Sequence, residues 1–316
     1  MSAENGFNIQ KIKDYFDCRS IIPRSRFAPS PTGLLHLGHA ISAIYVWSLT
    51  RALGGQVVLR IEDHDLSRCR KPFEEAILRD LDWLGFAPDE GVCTVSQPSP
   101  FRQSDHLERY AQSEQLVRHR GHHIYGCDCS RKAILAHAQP EHGELKYPGH
   151  CRQRNLSPET PRGSRLQLQP KTVEFADLCL ASQEQIPADQ CGDLLIKDRN
   201  GHWTYQWAVT VDDFKENMSL IIRGEDLLSS TGRQILCGEM LGRERPADFF
   251  HHPLIVDQQG QKLSKRDGST GIQELRASGY HPHSVLALAA QKVGMIRSNI
   301  KKINTKQLTD WFANEH

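Results

Sequence analysis

Apolar positions crowd most densely between Leu37 and Leu53. Most residues from Ala40 to Leu49 are non-polar, and Gly54-Gly55 ends the run. A stretch apolar on every face predicts a buried helix. The next segment, Gln56–Ile61 (QVVLRI), is β-branched and predicts a buried strand. Residues 72–84 open on proline and place Phe73, Ile77, Leu81 and Leu84 at helical spacing. A short strand is predicted at Arg24–Phe27. Strand, helix, strand, helix in this order predicts a parallel sheet with crossover helices.

The pattern then breaks. From His122 to about Gln190, Cys, His, Pro and Gly dominate between short strand-like pieces, which predicts an insertion. Regularity returns with a strand at Asp193–Lys197, a helix at Tyr205–Asp213, a strand at Ser219–Arg223 and a helix at Ser229–Leu241. Another apolar run follows at Leu254–Val256. Short helices are expected from Gly271 onward. The first 23 residues are polar and read as a tail or a short docking helix.

Composition narrows the class. A length of 316 residues suggests about two domains, or one with an insertion. With 24% charged residues, a disordered chain or a small disulfide scaffold is excluded. Lysine plus arginine is 39 against 38 acids, so no strongly basic field marks a nucleic-acid binder. No apolar run approaches the ~20 residues of a membrane helix. The N-terminus has no apolar signal core, so a cytoplasmic protein is expected. Nine cysteines without a secretion signal imply a reducing compartment, where closely spaced thiols suggest metal.

Two segments carry chemistry. In RFAPSPTGLLHLGH (Arg26–His39) a strand leads through a Pro/Gly-rich turn into a helix. His36 and His39 sit where the helix begins, and helix N-termini favour phosphate. Gly38 between them lets a flat base or ribose approach the backbone. The bland alternative is a helix start with two capping histidines. The second segment is QKLSKRDG (Gln261–Gly268), where Lys262, Lys265 and Arg266 can neutralise a triphosphate. Taken alone it would be a solvated basic loop. A third cluster is Cys127-x-Cys129, with Cys151 about 20 residues on: three thiolates for a tetrahedral ion such as zinc. Tyr147, His150, His123 and His142 are candidates for the fourth position.

HLGH with KLSKR resembles the paired nucleotide-binding motifs of class I aminoacyl-tRNA synthetases. RFAPSPTG, LRIEDHD, YQWAVTVDD and IIRGEDLLSSTGRQ resemble the glutamyl branch of that family, and together the blocks span residues 24 to about 268. The resemblance implies an α/β fold with a doubly wound, Rossmann-like parallel sheet. An inserted zinc-bearing α+β subdomain and a short C-terminal helical segment complete it. The expected division is 1–23 tail, 24–121 first catalytic half, 122–192 insertion, 193–268 second half with the KLSKR loop, and 269–316 helical segment.

The resemblance also implies ATP with Mg2+ and activation of L-glutamate as its adenylate. His36, His39, Lys262 and Lys265 would be catalytic, with His36, Gly38, His39 and Lys265 on ATP. Glutamate would meet Arg26, Phe27, Ala28, Pro29, Ser30, Glu62, Tyr205 and Arg223. Arginine forks suit its carboxylates, and Glu62 suits its ammonium. Asp63 and Asp65 read as structural. Tyr147 would complete one structural Zn2+ site with Cys127, Cys129 and Cys151.

After Arg266 only 50 residues remain, too few for the helical anticodon-reading region of the full-length branch. The chain therefore resembles the short form of the branch. That form activates glutamate without tRNA and attaches it to queuosine in the anticodon loop of tRNA(Asp). Arg118, Arg120, Arg131, Lys132, Arg152 and Arg154, or Lys301, Lys302 and Lys306, are the candidate RNA contacts.

Overall fold

The computed structural model describes residues 8–136, 145–158, 162–254 and 271–314. In chain order, helix α1 spans Ile9–Asp17, strand β1 Arg24–Phe27, α2 Leu37–Ala52, β2 Gln56–Leu59, α3 Lys71–Leu84 and β3 Glu90–Gly91. Then come α4 (Glu108–His119), β4 (Ile124–Cys127), α5 (Arg131–Leu135), β5 (Gly163–Leu166), β6 (Val173–Asp177), β7 (Ala181–Gln185) and α6 (Pro187–Cys191). The chain closes with β8 (Leu194–Lys197), α7 (Tyr205–Lys215), β9 (Leu220–Gly224), α8 (Thr231–Leu241), β10 (Asp248–His252), α9 (Ile272–Ala277), α10 (Pro282–Lys292) and α11 (Thr305–Asn314).

The centre is parallel. β1 pairs with β2 and β2 with β3, while β9 pairs with β10, all in parallel. β1 lies beside β9, where the Ser219 amide donates to Arg24 O at 3.0 Å. Strands from the two halves of the chain thus meet side by side, the arrangement of a doubly wound sheet. α2 is buried from end to end because it packs on β1, β2 and β9 on one side and on α10 and α11 on the other. This accounts for its uniform apolarity. The polar N-terminus is a docked helix: Ile9, Ile12 and Phe16 of α1 are buried against the α11 region.

Three features depart from the sequence expectation. First, β6 and β7 lie inside the 122–192 stretch yet join the sheet of β9 and β10, in the order β7-β6-β10-β9. Second, β8 lies beyond that stretch yet pairs antiparallel with β5 in a three-stranded sheet, β4-β5-β8. The sheets are therefore mixed, and the chain leaves and re-enters the main sheet within residues 122–192. Third, a strand that the sequence reading did not include, β10, spans Asp248–His252, just before the apolar run; Leu254 is in no strand, and 255–256 lie outside the described residues. Its sequence DFFHH looks half polar, but both histidines are buried. Among the described residues no helix is long and apolar enough to cross a membrane.

Candidate functional site

Arg60 has no solvent exposure at all. Its guanidinium lies 2.8 Å from both Asp213 and Glu216 and 3.6 Å from Glu62. Arg26 donates to Asp213 at 2.9 Å. Arg109 bridges Asp212 at 2.9 Å and Glu216 at 3.0 Å. Asp212 also accepts from Tyr110 and Gln103, at 2.9 and 2.7 Å. Three guanidiniums thus face four carboxylates. Glu62 carries the surplus: its Oε1 is buried and has no hydrogen-bond partner. Burial, outweighing Arg60 and Arg26, pushes its carboxyl up to about 7, while those arginines hold Asp213 down near 2 against burial.

Arg223 is the converse case. It is 5% exposed, and no carboxylate among the described residues stands within salt-bridge distance. Its donors go to neutral acceptors: Gln234 at 2.6 Å, Thr231 at 2.8 Å, His251 at 3.1 Å and Leu227 O at 3.3 Å. Burial pulls its pKa below the ordinary arginine value. Tyr205, at the first turn of α7, lies in the field of both groups. Burial raises its phenol, Glu62 raises it further, and Arg223 and Arg26 oppose. Arg26, Glu62, Tyr205 and Arg223 therefore converge. The remaining predicted positions frame them: Pro29 O accepts the Glu62 amide at 3.1 Å, and Phe27 O the Arg60 amide at 3.0 Å. The Phe27 ring packs on Trp47 in the core. Ala28 is half-buried, and Ser30 is exposed with its hydroxyl 3.8 Å from Cys69. Asp63 accepts from the Ser104 amide and hydroxyl, and Asp65 from the amide and hydroxyl of Ser67.

His36 and His39 cap α2 reciprocally. His36 Nδ1 accepts from Gly38 N, and His39 Nδ1 from His36 N, both at 3.1 Å. With Nδ1 accepting, a neutral ring carries its proton on Nε2. The rings lie 3.9 Å apart. A Cβ at Gly38 would sit 2.9 Å from His36 Cε1, so glycine leaves room for this cap. Lys262 and Lys265 lie outside the described residues. The chain flanking them is tied to the start of α2: Gly271 forms a bridge with His36, and His252 meets Ser42 at 2.7 Å.

The three predicted thiols come together, with the Sγ atoms of Cys127, Cys129 and Cys151 within 4.8 Å of one another. Tyr147 Oη stands 3.5 Å from Cys127 Sγ and 4.0 Å from Cys129 Sγ, and accepts the Cys151 amide at 2.8 Å. No described histidine joins the group. His150 is exposed, His123 binds Gln167 at 3.0 Å, and His142 lies outside the described residues. Arg165 Nε lies 3.3 Å from Cys127 Sγ, and Arg154 3.4 Å from Cys151 Sγ. Of the candidate RNA contacts, Arg118, Arg152 and Arg154 are engaged in ion pairs with Glu114, Asp193 and Asp128.

Residues 23–315 match the family of class I tRNA synthetases (E and Q), catalytic domain. The chain belongs to this family. It is thus an ATP-dependent ligase with the class I catalytic fold. It is 37% identical to the glutamyl-Q tRNA(Asp) synthetase of Symbiobacterium thermophilum, over 86% of each chain. It is 36% identical to glutamate--tRNA ligase 2 of Syntrophus aciditrophicus, over 86% of this chain but 58% of that one. The crystal structure of a glutamate tRNA ligase from Elizabethkingia meningosepticum, in complex with its amino acid, superposes with a TM-score of 0.73 at 26% identity. That match covers 92% of this chain and 64% of the ligase.

The motif blocks pointed to Arg26, Glu62 and Arg223. They did not point to Arg60, Asp212, Asp213, Glu216 or His251, which hold those groups in place. The paired acids in YQWAVTVDD were the available signal.

The charge surplus on Glu62 has a measurable consequence. Its carboxyl titrates near 7 against an ordinary 4.5, so between those values the native state holds a proton that the unfolded chain has released. Stability should fall as pH rises from 4.5 to about 7 and stay lowered above. Glu62→Gln should therefore be more stable than the wild type at pH 8 by up to about 3 kcal/mol, and nearly equal at pH 4.5. Denaturant unfolding at the two pH values checks this. A variant no more stable than wild type at pH 8 contradicts it.

Proposed function

We propose that the chain activates L-glutamate with Mg2+-bound ATP to glutamyl-adenylate without tRNA, and passes the glutamyl group to queuosine in the anticodon loop of tRNA(Asp). One observation carries the first half. A buried carboxylate with an unpartnered oxygen (Glu62) and a buried guanidinium with no acid beside it (Arg223) share Tyr205. Free glutamate has the complementary charges. Its ammonium suits Glu62, and a carboxylate suits the Arg223 fork. Arg26 has Asp213 as a standing partner and would serve the other carboxylate with its remaining donors. Ala28, Pro29 and Ser30 would line the backbone side, with the Phe27 ring behind them.

The reaction needs no side-chain base in its first step. The glutamate α-carboxylate is already ionised; its oxygen bonds to the ATP α-phosphorus, and the bond to the pyrophosphate oxygen breaks. The Nε2–H groups of His36 and His39 would donate to the phosphoryl oxygens as charge builds. Lys262 and Lys265 would neutralise the departing pyrophosphate, which leaves with Mg2+. Gly38 admits the nucleoside. In the second step a cyclopentene hydroxyl of queuosine attacks the adenylate carbonyl, and AMP leaves. The ion pairs of Arg26 and Arg60 with Asp213 and Glu216 are made within this chain, which supports activation without tRNA. Support for the acceptor comes from the relatives. Among them is a glutamyl-Q tRNA(Asp) synthetase that is 37% identical over 86% of each chain.

Cys127, Cys129, Cys151 and Tyr147 would hold one Zn2+. A tetrahedral site with Zn–S of about 2.3 Å needs sulfurs about 3.8 Å apart. Cys129 and Cys151 stand 3.5 Å apart, so little movement is required. Burial pushes the Cys129 thiol up to about 12 and raises Tyr147, so binding the cation would release protons. Four filled positions make the site structural, bracing the β4–β5 region.

The acceptor is tested by transfer of radiolabelled glutamate to two RNAs. Queuosine-containing tRNA(Asp) should be labelled in its anticodon loop and tRNA(Glu) should not; charging of tRNA(Glu) at its 3′ end would replace this reading with a minimal glutamyl-tRNA synthetase. For zinc, purified protein should contain about one metal ion per chain by elemental analysis. Tyr147→Phe should lose it to a chelator faster than wild type, and equal retention would remove Tyr147 from the ligand set.

A further inference from the structure

A buried guanidinium without a counter-charge is costly. For Arg223 that charge lies one imidazole away. His251 on β10 stands opposite Arg223 on β9 in the parallel register. Its Nε2 lies 3.1 Å from Arg223 Nε, and its Nδ1 lies 2.6 Å from Asp177 Oδ2. Arginine Nε–H can only donate, so His251 Nε2 is the acceptor and the proton resides on Nδ1. Asp177 closes β6, the neighbouring strand. Its Oδ1 takes the Cys179 and Leu180 amides, both at 2.9 Å, which fixes the carboxylate. Asp177 is 4% exposed and His251 fully buried. Burial lowers the imidazole's pKa, the Asp177 carboxylate opposes it and Arg223 lowers it again, with a net shift downward.

We propose that Asp177 and His251 are positioning residues for Arg223, and that they set the preference of the pocket for a carboxylate over the isosteric amide. A carboxylate directly on Arg223 would occupy the place of the substrate, as Asp213 partly does on Arg26. An imidazole locked by Asp177 fixes the fork with a neutral acceptor and leaves the positive charge for the ligand. The relay rests on the reading of Arg223 as a glutamate-carboxylate ligand.

Three variants separate positioning from a merely structural role. His251→Asn keeps a donor toward Asp177 and removes the acceptor for Arg223. His251→Gln restores an acceptor near the Nε2 position. Asp177→Asn can present a donor to His251 and favour the other tautomer, whose Nε2–H would oppose Arg223. In ATP–pyrophosphate exchange, His251→Asn and Asp177→Asn should raise the KM for glutamate by on the order of tenfold, with the KM for ATP within about twofold of wild type. The glutamate-to-glutamine ratio of kcat/KM should fall with it, and His251→Gln should recover most of the loss. Unchanged glutamate KM in folded His251→Asn and Asp177→Asn overturns the proposal, as does an equal rise for both substrates. Wild-type protein without glutamate-dependent exchange would remove the functional reading itself, and the relay with it.

Discussion

Arg60 is the constraint on which the site depends. A guanidinium with no access to water can persist only among carboxylates. Glu62 follows the same strand, but the two closer carboxylates come from a distant part of the chain: Asp213 lies on α7 and Glu216 just beyond it. The pairing therefore fastens the ends of β1 and β2 to α7 across the whole intervening insertion. Removing Asp213 or Glu216, the two acids at 2.8 Å, would take the close counter-charge from a fully buried guanidinium.

The pairing comes with an imbalance. Three arginines against four acids leave Glu62 Oε1 without a hydrogen-bond partner, while Arg223 has its counter-charge at one remove through His251. The protein bears two unfavourable burials, and under the proposed function a zwitterionic amino acid with a second carboxylate would relieve both. A surplus of this kind is a usual trade of stability for binding. The neighbouring His36–His39 cap adds paired imidazole donors where the phosphate chemistry would occur, and the backbone flanking residues 255–270 is anchored to the same helix.

Parts of this were legible in the sequence. The α2 helix and the strands at Arg24–Phe27 and Gln56–Leu59 follow from apolar patterning, because those elements are buried on several faces. Cys127, Cys129 and Cys151 converge as their spacing suggested, and Tyr147, which the family resemblance implied, stands beside them. Arg60 was not legible as a keystone, since an arginine in QVVLRI reads as a strand-end charge. β10 was missed because His251 and His252 look polar, although both are buried and His251 anchors the relay. The sheets that β6, β7 and β8 join were not legible, because strand pairing is a long-range property that local composition does not record.

The central claim is that this pocket is built for the glutamate zwitterion and is complete without RNA. Amino-acid-dependent ATP–pyrophosphate exchange with RNA-free protein, comparing glutamate, glutamine and aspartate, tests it most directly. The account predicts exchange with glutamate and little with the other two. Equal exchange with glutamine, or glutamate exchange that appears only when tRNA is added, would contradict it.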